Sequence, residues 1–489
     1  MTNPRSRWLA LYVLCTGMLM IVLDVTIVNV ALPSIQSDLD FSPAGLAWVV
    51  NAYLIAFGGL LLLAGRVGDL LGQRRIFVTG LVVFTAASVA CGAATNSTTL
   101  VVARFVQGAG GALTSAVILG LIVTMFPEPR EQAKAIGVYA FVASAGGAVG
   151  LLAGGALTEW VNWHWIFLVN APIGAATLAA ALRLLPAGTG AGLRAGADAL
   201  GALFITASLM LGVYTIVVPA AEDGWGATRT LACGAGAIAL LVAFVIREAT
   251  AATPLMPLRI LRSRTIAGAN VVQMVGAGGM FGSFFLGSLY LEHVQGYQPL
   301  EIGLAFLPVT VLMGGLSVRY SERLITRFGA HRVLFVGLAL IGAALAGFAI
   351  APVHASYVNN ILPSAALLGI GAGLCFPPLM GLAMSGVQPS DAGLASGLVN
   401  TTAQVGGAIG LAVLSTVAAG RTDTLRAAGH GLPSALTGGY HLAFWIAVGM
   451  IAAALVTAVL TLRPTPADVA EPAPQPNAVP DAVPVEVAA

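Results

Sequence analysis

The chain has 489 residues, 58% of them hydrophobic and 9% charged, with a formal net charge of +2. A water-soluble protein carries about 25% charged residues, so this composition excludes a soluble globular chain and points to lipid as the solvent. The near-neutral balance, with no basic cluster over a soluble segment, argues against a nucleic-acid partner.

Long apolar runs predict fourteen helices, at 8–32, 46–65, 76–94, 100–124, 134–157, 164–184, 199–219, 230–247, 265–290, 301–318, 331–351, 360–384, 396–418 and 439–462. A spanning helix takes about 20 apolar residues. Backbone groups in hydrocarbon find no water, so only helices or closed barrels cross a bilayer. Barrel strands would be short and alternating, whereas these runs are long and continuously apolar. Eighteen of the 22 Lys and Arg residues fall at the termini or in every second gap. The opposite gaps hold only Arg229, Arg421 and Arg426, and Arg104 lies inside a helix. The positive-inside rule therefore predicts cytoplasmic termini, which requires an even number of helices.

The expected fold is an all-α membrane protein of fourteen transmembrane helices, with two six-helix pseudo-symmetric bundles and two central extra helices. The predicted boundaries are 1–185 for the first bundle, 186–259 for a Gly/Ala/Pro linker with the two additional helices, and 260–463 for the second bundle. Residues 464–489 form a Pro- and Ala-rich tail without a basic residue, which reads as a disordered cytoplasmic segment. Cys15, Cys91, Cys233 and Cys375 lie in apolar runs without metal-ligand spacing and read as small buried residues. The first apolar run is too long for a signal peptide and is interrupted by Asp24.

Within LDVTIVNVALP (23–33), Asp24 is an ionisable group in an apolar run. Such a group is costly and usually faces a cavity and carries function, here proton or cation handling. The alternative is structural, with Asp24, Thr26 and Asn29 bonding neighbouring helices. GRVGDLLGQRR (65–75) reads as a tight loop between the second and third helices. Gly65, Gly68 and Gly72 allow close helix ends, and Arg66, Asp69, Arg74 and Arg75 can bond one another or neighbouring helix ends. A weak copy, ERLITRFGAHR (322–332), aligns Gly329 with Gly72 and Arg323 with Arg66, and has Thr326 in place of Asp69. RFVQGAGGALTSA (104–116) puts Arg104 inside the fourth helix, with Gln107 one turn on. Counted from the predicted outer ends, Asp24 and Arg104 both sit about 10 Å deep.

SAGGAVGLLAGGAL (144–157) repeats Gly146, Gly150 and Gly154 on one helix face, with Gly155 beside them, a pattern that permits close packing. WHWIFLVNAPIG (163–174) carries His164, either a titrating group or a polar anchor, and Trp160, Trp163 and Trp165 fit an outer aromatic belt. Asn400 and Gln404 are four apart and either line a cavity or bond between helices. Glu292 and Glu301 flank an outer gap, as solvated loop acids or as contacts for a departing cation.

These motifs resemble the major facilitator superfamily, in particular its fourteen-helix drug:proton antiporter branch, over nearly the whole chain apart from the tail. The resemblance implies that residues 65–75 latch the cytoplasmic side and yield during the inward–outward switch. It implies that Asp24 is a proton carrier in the helix 1 motif. It places the first and fourth helices beside one cavity, so Arg104 and Asp24 should interact directly or through water. The 144–157 segment is similar to the antiporter motif, with Leu151 where a Pro is expected, and His164 stands where Arg is common. Asn29, Gln107, Asn400 and Gln404 become candidate cavity-lining residues.

The implied function is a secondary transporter of the cytoplasmic membrane that exports drugs or toxic small organic metabolites in exchange for protons by alternating access. A proton-coupled importer or exchanger is the alternative. The expected partners are protons, the lipid bilayer and a small amphipathic substrate, with the chain acting as a monomer. No cofactor or metal is expected. The chain's one Lys, Lys134, precedes Ala135, so the Gly-Lys-Ser/Thr of a phosphate loop is absent, and no HExxH or GxSxG enzyme signature is present.

Overall fold

The computed structural model describes residues 4–42, 45–186, 198–251, 254, 262–383 and 392–462. Among them every regular element is helical. In chain order these are α1 (Pro4–Asp38), α2 (Ala47–Leu71), α3 (Gln73–Gly92), α4 (Ser97–Met125), α5 (Pro129–Trp160) and α6 (His164–Leu168). Then come α7 (Asn170–Leu184), α8 (Ala199–Val217), α9 (Pro219–Glu222), α10 (Thr228–Thr250), α11 (Arg264–His293) and α12 (Pro299–Arg319). The chain ends with α13 (Ser321–Phe328), α14 (Ala330–Ala349), α15 (Leu362–Ala383), α16 (Ala392–Ala427) and α17 (Leu432–Thr461). A π turn at Tyr357–Ile361 leads into α15.

Twelve stretches among the described residues are long and apolar enough to cross a membrane. They do not include α2 and α5, of 25 and 32 residues, along which several side chains lie outside the description. Helix starts are set by local chemistry. Asn96 Oδ1 accepts from Thr99 N at 2.8 Å, Asp198 Oδ1 from Gly201 N at 3.0 Å, and the Glu301 carboxylate from Gln298 N at 2.8 Å.

Two expectations are corrected. The first helix does not stop at Pro33, which α1 carries inside it before ending at Asp38. Asp24 therefore lies 14 residues from the end of α1, about 21 Å along the axis. The segment 65–75 is not a loop: α2 continues through Leu71 because Val67, Leu70 and Leu71 sustain its apolar pattern, and Gly72 alone makes the turn. Gly72 has φ 99°, a region that side chains with a Cβ rarely adopt, and Gly329 makes the corresponding turn between α13 and α14 with φ 85°.

Extensive packing pairs α4 with α2 and α3, α11 with α16 and α17, and α14 with α15. α5 packs on both α1 and α12, and α2 packs on α16, so these contacts connect the earlier and later helices. α8 and α10 form a hairpin of which α8 touches α2 and α16. α10 leaves Leu231, Ile238, Val242 and Ile246 exposed. Such a surface suits contact with acyl chains rather than water. The linker segment 187–197, the tail from 463 and residues 384–391 ahead of α16 fall outside the described residues.

Candidate functional site

The most charged point of the interior lies where α1, α2, α3 and α4 meet. Asp24 and Gln107 are fully buried, and Arg104 is 1% exposed. Arg104 Nη1 donates to Asp24 Oδ2 at 2.5 Å and to Gln107 Oε1 at 2.7 Å. Gln107 Nε2 donates to Asp24 Oδ1 at 2.6 Å and to Ser88 Oγ at 2.8 Å. Arg104 Nε reaches the Val49 carbonyl at 2.9 Å. Ser88 Oγ donates to the Phe84 carbonyl at 2.8 Å, and Cys91 Sγ lies 3.5 Å from Gln107 Oε1. Both carboxylate oxygens and both ends of the Gln107 amide therefore have partners, which offsets the cost of burying charge.

Aromatic rings complete the enclosure. The guanidinium carbon of Arg104 sits 4.5 Å from the Tyr53 ring centroid and 5.6 Å from that of Phe167. Small residues let the helices approach this closely: a Cβ on Gly108 would collide with the Tyr53 carbonyl, and one on Gly110 with the backbone of Phe84.

Sequence reasoning singled out Asp24, Arg104 and Gln107, and the structure brings all three together. It missed Ser88, the Val49 carbonyl and the Tyr53 ring. Ser88 stood out only as a hydroxyl within an apolar run, and a backbone carbonyl leaves no signal in a sequence. Gln107, a candidate both for the Arg104 network and for the cavity wall, is buried within the cluster. Asn29 bonds within its own helix, Nδ2 to the Val25 carbonyl at 2.9 Å.

The remaining sites lie elsewhere. Arg74 donates to the Leu182 carbonyl near the end of α7, and Arg75 is exposed. Arg66 is partly buried in α2, Gly65 faces open space, and Gly68 abuts the Val117 side chain of α4. The Asp69 side chain falls outside the described residues. Gly146, Gly150 and Gly154 pack on α1 against Val22, Thr26 and Ile27. Gly155 turns the other way, and a Cβ there would lie 2.6 Å from Leu300 Cα of α12. Leu151, in the place of the expected Pro, sits in an unbroken α5, and a Cβ on Gly303 would approach its carbonyl to 2.5 Å.

The His164 ring lies tilted by 60° against that of Trp163, with ring centroids 3.8 Å apart. Trp163 does not join an outer belt: it is 4% exposed and donates to Asp38 Oδ2 at 2.9 Å, whereas Trp160 and Trp165 are exposed. Glu301 caps α12, and Glu292 Oε2 is buried without a hydrogen-bond partner, so Glu292 is not a solvated loop acid. Asn400 is exposed on α16. Gln404 meets α2 at Gly58, and Thr206 of α8 meets the adjacent Gly59. Along this seam Thr206 Oγ1, Thr401 Oγ1 and Gln404 Oε1 are buried without hydrogen-bond partners, as is the Asn51 amide earlier on α2.

A sequence profile described as the Major Facilitator Superfamily matches residues 14–411. The chain belongs to the Major Facilitator Superfamily. It is 41% identical to the puromycin resistance protein pur8 of Streptomyces alboniger, over 94% of this chain and 91% of that one. It is 40% identical to the cephamycin export protein CmcT of Amycolatopsis lactamdurans, over 92% of each. Among solved structures, an auto-inhibited POT family peptide transporter superposes with a TM-score of 0.70 at 16% identity, over 96% of this chain and 99% of that one. A bacterial homologue of the lysosomal transporter Spinster, inward-facing and unoccupied, gives 0.67 at 18% identity, over 95% and 100%. At these identities the structural likeness establishes the superfamily fold alone.

Proposed function

We propose that this superfamily member exports drugs or toxic small organic metabolites across the cytoplasmic membrane in exchange for protons. The names of the relatives, for puromycin resistance and cephamycin export, support the export reading. The observation that carries the coupling is the buried cluster of Asp24, Arg104 and Gln107. Arg104 is the counter-ion of Asp24 in this arrangement. Protonation of Asp24 removes one charge of the pair and leaves Arg104 without its counter-ion in an apolar interior, a change worth about 3–5 kcal/mol for a buried pair. That free energy is available to rearrange the four helices joined at the cluster, and so to favour one orientation of the transporter over the other.

In this reading α2 and α5 also span, which makes fourteen crossings. The helices before and after the α8–α10 hairpin form two six-helix bundles that rock about a central path, and both termini are cytoplasmic. The turn at Gly72, with Arg66, Asp69, Arg74 and Arg75, latches the cytoplasmic end, and Arg74 on the Leu182 carbonyl is one contact that opening would break. The faces of α5 that pack on α1 and α12 serve as the bearing between bundles. The chain works as a monomer and takes an amphipathic substrate.

The test uses inside-out vesicles containing the full chain. Export predicts substrate uptake driven by an acidic lumen and abolished by a protonophore. Uptake that ignores the gradient, or substrate that moves with the protons, contradicts antiport.

A further inference from the structure

A crevice of about 60 Å³ opens where α1, α11, α16 and α17 end on the side remote from the Gly72 turn. Gln36, Phe285, His293, Asp423 and Tyr440 line it above a floor of leucines. Its polar lining includes the His293 imidazole and the hydroxyls of Ser415 and Thr422, which already donate to the Ala412 and Ala418 carbonyls. Asp423 supplies carboxylate acceptors and makes no ion pair among the described residues. Gln36 Oε1 is buried with no hydrogen-bond partner, while its Nε2 is directed to the Phe41 carbonyl at 3.4 Å. The rings of Phe285 and Tyr440 add apolar walls whose faces attract cations.

We infer that this crevice binds the ammonium or guanidinium group of a small organic cation and serves as an outer release subsite. The release role rests on the export reading above, under which this end faces outside. The argument is one of complementarity. An exposed carboxylate and one unpartnered amide oxygen beside aromatic rings suit a group that brings N–H donors and positive charge. An anion meets repulsion from Asp423. A neutral alcohol brings one donor and no charge. Glu292, next in the chain to His293, adds a further acid at this end of α11.

The experiment titrates n-butylammonium and n-butanol onto the purified full chain in nanodiscs, followed by saturation-transfer NMR. Wild type should bind the ammonium and not the alcohol, and Asp423→Asn should weaken ammonium binding about tenfold. Gln36→Met, which removes the second acceptor, should weaken it as well and serves as the independent variant if Asp423→Asn does not fold. Equal binding by wild type and both variants, or equal binding of alcohol and ammonium, overturns the subsite.

Efflux separates this from the export reading. In Asp423→Asn, KM should rise for a cationic dye and stay unchanged for a neutral substrate. If wild type exports both and the variant matches it for both, the subsite fails while export stands. If wild type exports neither but binds n-butylammonium in a manner dependent on Asp423, export fails while the binding site stands.

Discussion

The early and late helices bury polar groups in opposite ways. Between α1 and α4 the interior holds a full ion pair, saturated by Gln107, Ser88 and the Val49 carbonyl. Between α11 and α16 the comparable contact is neutral: Thr402 Oγ1 donates to Asn270 Oδ1 at 3.0 Å, and Asn270 Nδ2 donates to the Ile266 carbonyl at 2.8 Å. No Asp, Glu, Lys or Arg is buried among the described residues from 262 to 462. One contact thus carries a charge pair and the other is neutral. Under the export reading proposed above, this difference places proton coupling at the early helices.

The largest expected effect comes from breaking the ion pair. Arg104→Gln leaves Asp24 buried without its counter-charge, a loss of about 3–5 kcal/mol, and should sharply reduce folded protein, measured by thermal denaturation in detergent. The double variant Asp24→Asn with Arg104→Gln removes both charges and should recover much of that stability while staying uncoupled from protons. A double-mutant cycle checks this, and simple additivity of the two changes would contradict a direct pair.

Gln107→Leu comes next. It strips one bond from Asp24 and leaves Ser88 without its donor, so about 1–3 kcal/mol of stability should be lost, with a slower transport cycle and unchanged substrate selectivity. The late helices supply the contrast. Thr402→Val removes one neutral hydrogen bond, worth about 1 kcal/mol, and should leave the pH dependence of transport as in wild type. A change in that dependence would show that the late helices share the coupling.

The turn at Gly72 tests the likeness rather than the difference. Gly72→Ala and Gly329→Ala both force a Cβ onto a positive φ, at about 1 kcal/mol or more each. Both should lower thermal stability by similar amounts. Unequal losses would mean that the two turns, alike in backbone, do different work.

Twelve long apolar stretches were legible because hydrocarbon permits little besides helices, so apolar run length alone located them. Asp24 and Arg104 were legible for the same reason: a charge in an apolar run is expensive and therefore conspicuous. What the sequence hid was relative position. Pro33 looked like a helix end and is carried within α1, which runs on to Asp38. GRVGDLL looked like a loop because of its glycines and charges, yet its apolar residues keep helical spacing and only Gly72 turns. Trp163 looked interfacial by type, and its burial against Asp38 depends on a contact 125 residues away in the chain. The orphaned polar atoms of Thr206, Thr401 and Gln404 are invisible to any local pattern, since they arise where α8 and α16 meet α2.

The most direct test of the central claim is proton movement during substrate transport by Asp24→Asn. The full chain is reconstituted in liposomes with a pH-sensitive dye trapped inside, and substrate is added to start exchange. The account predicts that wild type moves protons against substrate flow and that the variant, though folded and able to bind substrate, moves none. Substrate-dependent proton movement of wild-type size in the variant would contradict it.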